Sequence, residues 1–110
     1  MQSQYVFIES RDPFESTETA FVADTASALR ACGRAVTVFL VQNGVLATRA
    51  AARGTQVRRL TECGVTVLAD DFSLQERGIE AGELSDGVRA ASIETLVDLV
   101  VRPDTKTLWH

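Results

Sequence analysis

The chain has 110 residues, of which 45% are hydrophobic, and a formal net charge of −4. This length and composition predict one globular domain over residues 1–110 and exclude a disordered chain. The acidic balance argues against a nucleic-acid partner, because DNA and RNA favour basic surfaces. No apolar run approaches the ~20 residues of a membrane-spanning helix, and the N-terminus lacks the basic stretch of a signal peptide. We therefore expect a cytoplasmic protein with no membrane partner.

The first third of the chain is typical of a strand followed by a helix. Residues 5–8 form a wholly apolar run rich in aromatic and β-branched side chains, which favours a strand covered on both faces. Asp12 is placed to cap the next helix, with Pro13 at its first position and Glu15 completing a capping box. Gly33 is expected to end this helix in a left-handed conformation. The inner face of the helix is predicted to hold Phe21, Ala28, Leu29 and Cys32.

The middle of the chain repeats this alternation. Two further buried strands are predicted at residues 36–41 and 65–69. Between them the sequence predicts, in order, a turn at 42–44, a helical segment at 45–52, a break at 53–55 and a helix with Val57 and Leu60 on its inner face. A short helix is predicted within residues 70–78, where Ser73 and Glu76 have the spacing of a capping box.

The last third begins with a polar, turn-rich stretch at residues 80–87 and a brief fourth strand at 88–91. Ser92 is predicted to cap a helix, and Pro103 prevents that helix from continuing. A fifth strand is predicted at residues 105–109. The apolar stripe of the helix consists of Ile93, Leu96, Val97 and Val100.

Strands that alternate with helices in this way pair in parallel through crossover connections. The predicted fold class is therefore α/β, a three-layer sandwich with a mostly parallel sheet of about five strands. Ligands of such sheets bind beyond the carboxyl ends of the strands, where helix N-termini favour anions. Helix capping by Asp12 and Asp71 is the favoured explanation of the carboxylates at this edge. The candidate ligand-binding residues are Arg11, Asn43, Asp70 and Arg77.

Several kinds of active site are not supported by the sequence. There is no phosphate-binding glycine loop, and His110 would place the base of a catalytic triad at a frayed terminus. Two cysteines and one histidine do not have metal-ligand spacing, so no metal or cofactor is predicted. Cys32 is expected to pack in the core, whereas Cys63 lies at a helix C-terminus, where the dipole disfavours a thiolate. Cys63 is a weak nucleophile candidate. A disulfide remains open, although a cytoplasmic protein favours reduced thiols.

Three segments carry a family resemblance, at residues 38–45, 64–71 and 76–79. They resemble the DsrE/DsrF/DsrH family, which includes the sulfur-relay subunits TusB, TusC and TusD. The tail, through Leu96 and on to Trp109, is most similar to the DsrH/TusB branch, whereas the opening strand and first helix look more like DsrE and DsrF. The resemblance covers nearly the whole chain and depends on the order and spacing of the segments.

The resemblance implies a DsrEFH-like fold and a subunit that forms homo-oligomers, or hetero-oligomers with related sulfur-relay subunits. Some members carry sulfur as a persulfide on a cysteine just after the third strand. This sequence has Asp70 at that position, and a carboxylate cannot hold a persulfide. We therefore expect an accessory or assembly subunit rather than an enzyme. The alternatives are a persulfide carrier through Cys63 or, less favoured, Cys32, and a small-ligand-binding protein that uses the strand edge.

Overall fold

The structure, a computed structural model, describes residues 3–12, 14, 19–50 and 56–110. Five strands form one sheet with the order β4-β3-β2-β1-β5, and every neighbouring pair is parallel. The fold class and all five predicted strands are confirmed. No helix within the described residues is long and apolar enough to cross a lipid bilayer. The strands are β1 Gln4–Glu9, β2 Ala35–Leu40, β3 Thr66–Asp70, β4 Val88–Ala91 and β5 Thr105–Trp109.

The central strands are apolar throughout because both faces of the sheet are covered. Successive side chains of β1 point to opposite faces, so Phe7 enters one buried cluster while Val6 and Ile8 enter another. The first cluster lies under helices α1 to α3, and the second lies under α4. The predicted three-layer arrangement is thus confirmed. The helices are α1 Thr19–Ala31, α2 Val57–Glu62, α3 Asp71–Glu76 and α4 Ile93–Val100.

The predicted inner face of α1 is wrong. Phe21 is 63% exposed, and Ala28 and Cys32 are also exposed, although Leu29 does pack against the core. The helix is turned so that smaller side chains face the sheet, and these allow a close approach that a phenylalanine would prevent. The predicted core position of Cys32 is wrong for the same reason. The buried residues of α1 are Val22, Ala23 and Ala26.

Helix boundaries differ from the predictions at two places. The capping residues Pro13 and Glu15 lie outside the described residues, and α1 as described begins at Thr19. Asp12 accepts a hydrogen bond from the backbone N–H of Phe14, 2.8 Å away. The segment after β2 is a 3-10 helix at Gln42–Thr48 rather than a turn followed by a helix, and the predicted break at 53–55 lies outside the described residues.

Helix α4 begins as predicted and packs differently from the prediction. The Ser92 side chain accepts a hydrogen bond from the backbone N–H of Thr95, which confirms the cap. Within the predicted stripe, Leu96 is buried and Val100 partly buried. Ile93 and Val97 remain 55% and 52% exposed, because α4, the one described helix on this face of the sheet, contacts the sheet along one narrow side.

Candidate functional site

Asp70 ends β3 and caps α3 directly, without an intervening loop. Its Oδ2 accepts hydrogen bonds from the Ser73 backbone N–H at 3.0 Å and from the Ser73 hydroxyl at 2.7 Å. The Ser73 Oγ in turn accepts the backbone N–H of Gln42 at 2.9 Å. Asp70 is 7% exposed, and its buried carboxylate is hydrogen-bonded within the protein. The predicted caps are corrected here: Ser73 and Glu76 do not form a capping box, and Asp71 lies exposed in the first turn of α3.

Asn43 and Arg77 meet at the same edge. The Asn43 Oδ1 accepts hydrogen bonds from the Arg77 Nε at 3.2 Å and from its Nη2 at 3.0 Å. The third guanidinium nitrogen, Nη1, donates to the backbone carbonyl of Ser73 at 3.2 Å. Arg77 therefore ties the start of the 3-10 helix to α3. Since Ser73 also contacts Asp70, the structure gathers three of the four predicted ligand residues into one network.

The fourth predicted ligand residue, Arg11, belongs to a second group. Arg11 follows β1, and its backbone N–H donates to the Glu9 Oε1 at 3.0 Å. Glu9 is 4% exposed, and the same carboxylate lies 2.8 and 2.9 Å from the Nδ1 of His110. When the carboxyl group is ionised, Nδ1 is the donor of this hydrogen bond, because a carboxylate can only accept.

His110 is held firmly, so the expectation of a frayed position is wrong. Its backbone N–H donates to the carbonyl of Ile8 at 2.8 Å, and its carbonyl accepts from the Ser10 N–H at 2.9 Å. The Ser10 hydroxyl donates to the same carbonyl at 3.1 Å. Sequence reasoning missed the pairing with Glu9, although a single acidic residue at the end of an apolar strand is an informative signal.

A cavity of about 280 Å³ lies beside this pair, between the sheet and helices α1 and α2. The polar residues that line it are Glu9, Arg11, Thr19 and Gln56. The other walls are mainly apolar and include Val22, Ala23, Val38, Ala47 and Leu60.

The two cysteines are free thiols, and both are exposed. Cys63 follows the last residue of α2, as predicted, and its Sγ lies 3.3 Å from the carbonyl of Leu60 and 3.7 Å from the Ser27 Oγ. Across the described part of the chain, no three His, Cys, Asp or Glu side chains are grouped so that they could hold a metal ion.

The fold and these networks define a small α/β protein with an all-parallel sheet. Hydrogen bonds join side chains at the carboxyl ends of its strands. The family model described as "DsrH like protein" matches residues 18–106. The chain therefore belongs to the DsrH-like family, which is related to the sulfur-relay DsrH and TusB proteins, and the predicted resemblance is confirmed.

Solved structures share the whole architecture. The ychN protein from E. coli matches with a TM-score of 0.84 and 23% identity, over 100% of both chains. A protein of unknown function from Methanobacterium thermoautotrophicum matches with a TM-score of 0.81 and 19% identity, also over 100% of both chains. No curated protein sequence matches the chain. At these identities, the structural likeness establishes the fold.

Proposed function

We propose that this protein is an accessory or assembly subunit of a sulfur-relay complex and does not itself carry the sulfur. The observation that supports this proposal is the burial and hydrogen bonding of the Asp70 side chain. The family resemblance places Asp70 where some members carry a persulfide cysteine, and its buried carboxylate accepts two hydrogen bonds from Ser73. Such a side chain has no sulfur to transfer. The residue at this position stabilises α3 instead, because it satisfies an N–H at the helix start.

An exposed apolar surface on α4 supports the assembly role. Ile93, Val97 and Val101 recur at every fourth position, so they form one stripe, and they are 55%, 52% and 71% exposed. Trp109 is also mostly exposed and pairs in register with Ile8, which places it on the same face of the sheet as α4. An apolar stripe of this kind on a small chain is typical of a subunit contact.

The test compares two double variants of α4 by native mass spectrometry. Ile93→Ser with Val97→Ser removes apolar contact area, whereas Glu94→Ser with Asp98→Ser changes two other exposed positions on the same helix. We expect the wild-type protein and the charged-residue variant to form oligomers, alone or with TusC- and TusD-type subunits. The apolar variant should shift toward monomer. A strictly monomeric wild-type protein that retains no sulfur-relay subunit in a pull-down would refute the proposal.

A persulfide carrier is the second candidate, because both thiols are accessible. Its test is incubation with a persulfide donor, followed by intact-mass measurement of the wild-type, Cys63→Ser and Cys32→Ser proteins. The accessory role predicts no stoichiometric sulfur adduct. An adduct of one sulfur atom that disappears in Cys63→Ser and persists in Cys32→Ser would identify Cys63 as the carrier instead.

A further inference from the structure

The order of the strands creates a switch point between β1 and β5. From β1 the chain adds β2, β3 and β4 successively on one side, and then returns to place β5 on the other side of β1. Helix α1, which leaves β1, packs on one face of the sheet, while α4, which leads to β5, packs on the opposite face. In open α/β sheets, ligands bind beyond the carboxyl ends of the strands, and at this edge β1 and β5 are neighbours. Here those ends carry Glu9 and His110.

Glu9 is a buried carboxylate at the carboxyl end of β1. Glu9 follows the apolar run at residues 5–8 of β1, and burying a carboxylate is unfavourable unless hydrogen bonds compensate. The His110 ring and the Arg11 backbone N–H supply those bonds on one side. Glu9 also lines the cavity, and by strand alternation its side chain lies on the same face of the sheet as Phe7. The carboxylate therefore offers a hydrogen-bond acceptor to a ligand there.

Small residues keep the cavity open. Ala23 and Ala47 line it from α1 and from the 3-10 helix, and both are buried. Gly44 also lines it, and a Cβ at this position would collide with the backbone carbonyl of Glu9. The 3-10 helix can therefore approach β1 closely only with glycine there. The result is a volume of about 280 Å³, larger than the roughly 150 Å³ apolar cavity that accommodates benzene in an engineered protein.

We propose that this cavity binds a small aliphatic molecule whose polar head donates a hydrogen bond to the Glu9 carboxylate. The apolar walls select the aliphatic body, and the buried acceptor selects a hydroxyl or ammonium head. A carboxylate head is disfavoured because it would face the like charge of the Glu9 carboxylate. Arg11 also lines the cavity, and its positive charge would favour a carboxylate head, so the test compares the head groups directly. The inference is independent of the assembly role.

The experiment uses three probes that share a six-carbon chain: hexan-1-ol, hexylammonium and hexanoate. Binding is measured by thermal shift and by chemical-shift changes of the alanine methyl groups in NMR spectra. Hexan-1-ol and hexylammonium should bind at least about tenfold more tightly than hexanoate, with the largest changes at Ala23 and Ala47. Equal or tighter binding of hexanoate would overturn the proposed head-group chemistry, and no binding of any probe would overturn the site.

Two leucine substitutions on α1 provide the matched control. Ala23→Leu places a larger side chain in the cavity and should weaken binding of hexan-1-ol at least about tenfold. Ala28→Leu adds the same atoms at an exposed position of the helix and should leave binding unchanged. If Ala23→Leu fails to fold, Ala47→Leu tests the same wall from the 3-10 helix. Undiminished binding in the folded cavity variant would contradict the proposal.

Discussion

Replacing Asp70 by alanine should lower the free energy of unfolding by about 2–4 kcal/mol. Loss of the helix cap costs about 1 kcal/mol, since the Ser73 backbone N–H loses its acceptor. The Ser73 hydroxyl, which is buried and donates to the same carboxylate, would lose its acceptor as well, at about 1–3 kcal/mol. For a chain of this length, roughly 4 °C of melting temperature corresponds to 1 kcal/mol, so the midpoint should fall by roughly 8–16 °C.

Urea denaturation followed by circular dichroism measures this change, with Asp70→Asn as the control. Asparagine keeps an acceptor oxygen at the cap, so this variant should lose about half as much stability or less. Adding Ser73→Ala to Asp70→Ala should cost less than the sum of the single changes, because the alanine removes the unsatisfied hydroxyl. An alanine variant as stable as the wild type, or more stable, would refute the structural role. That result is expected of a residue retained for function at the expense of stability.

Other predictions concern the second group and the thiols. His110→Ala should destabilise the fold by about 1–3 kcal/mol in thermal denaturation, because it removes a partner of the buried Glu9 carboxylate. The control is Arg58→Ala, which removes an exposed i,i+4 ion pair and should cost about 0.5 kcal/mol or less. If the two variants lost equal stability, burial of Glu9 would not explain the effect of His110→Ala. Cys32 and Cys63 should both react with a thiol reagent in the folded protein, and a count of one reactive thiol would contradict their exposure.

Much of the candidate site required the tertiary structure. The sequence placed Asn43, Asp70 and Arg77 at one edge, because the carboxyl ends of parallel strands lie together. It could not distinguish Asp70 from Ser73 as the cap of α3, since both residue types cap helices and the choice depends on where the strand ends. Nor could it bring Glu9 to His110, because residues 101 positions apart meet through the order of the strands.

The sequence by itself determined the elements whose signals are local. The five strands follow from short apolar or β-branched runs, and the start of α4 follows from Ser92, because strand pattern and capping depend on near neighbours. Only the tertiary structure decided which side of α1 faces the sheet, because close packing favoured its small residues over Phe21. The position of β5 beside β1 was likewise set by the tertiary structure. It depends on the path of the whole chain, and it brought His110 to the buried Glu9 carboxylate.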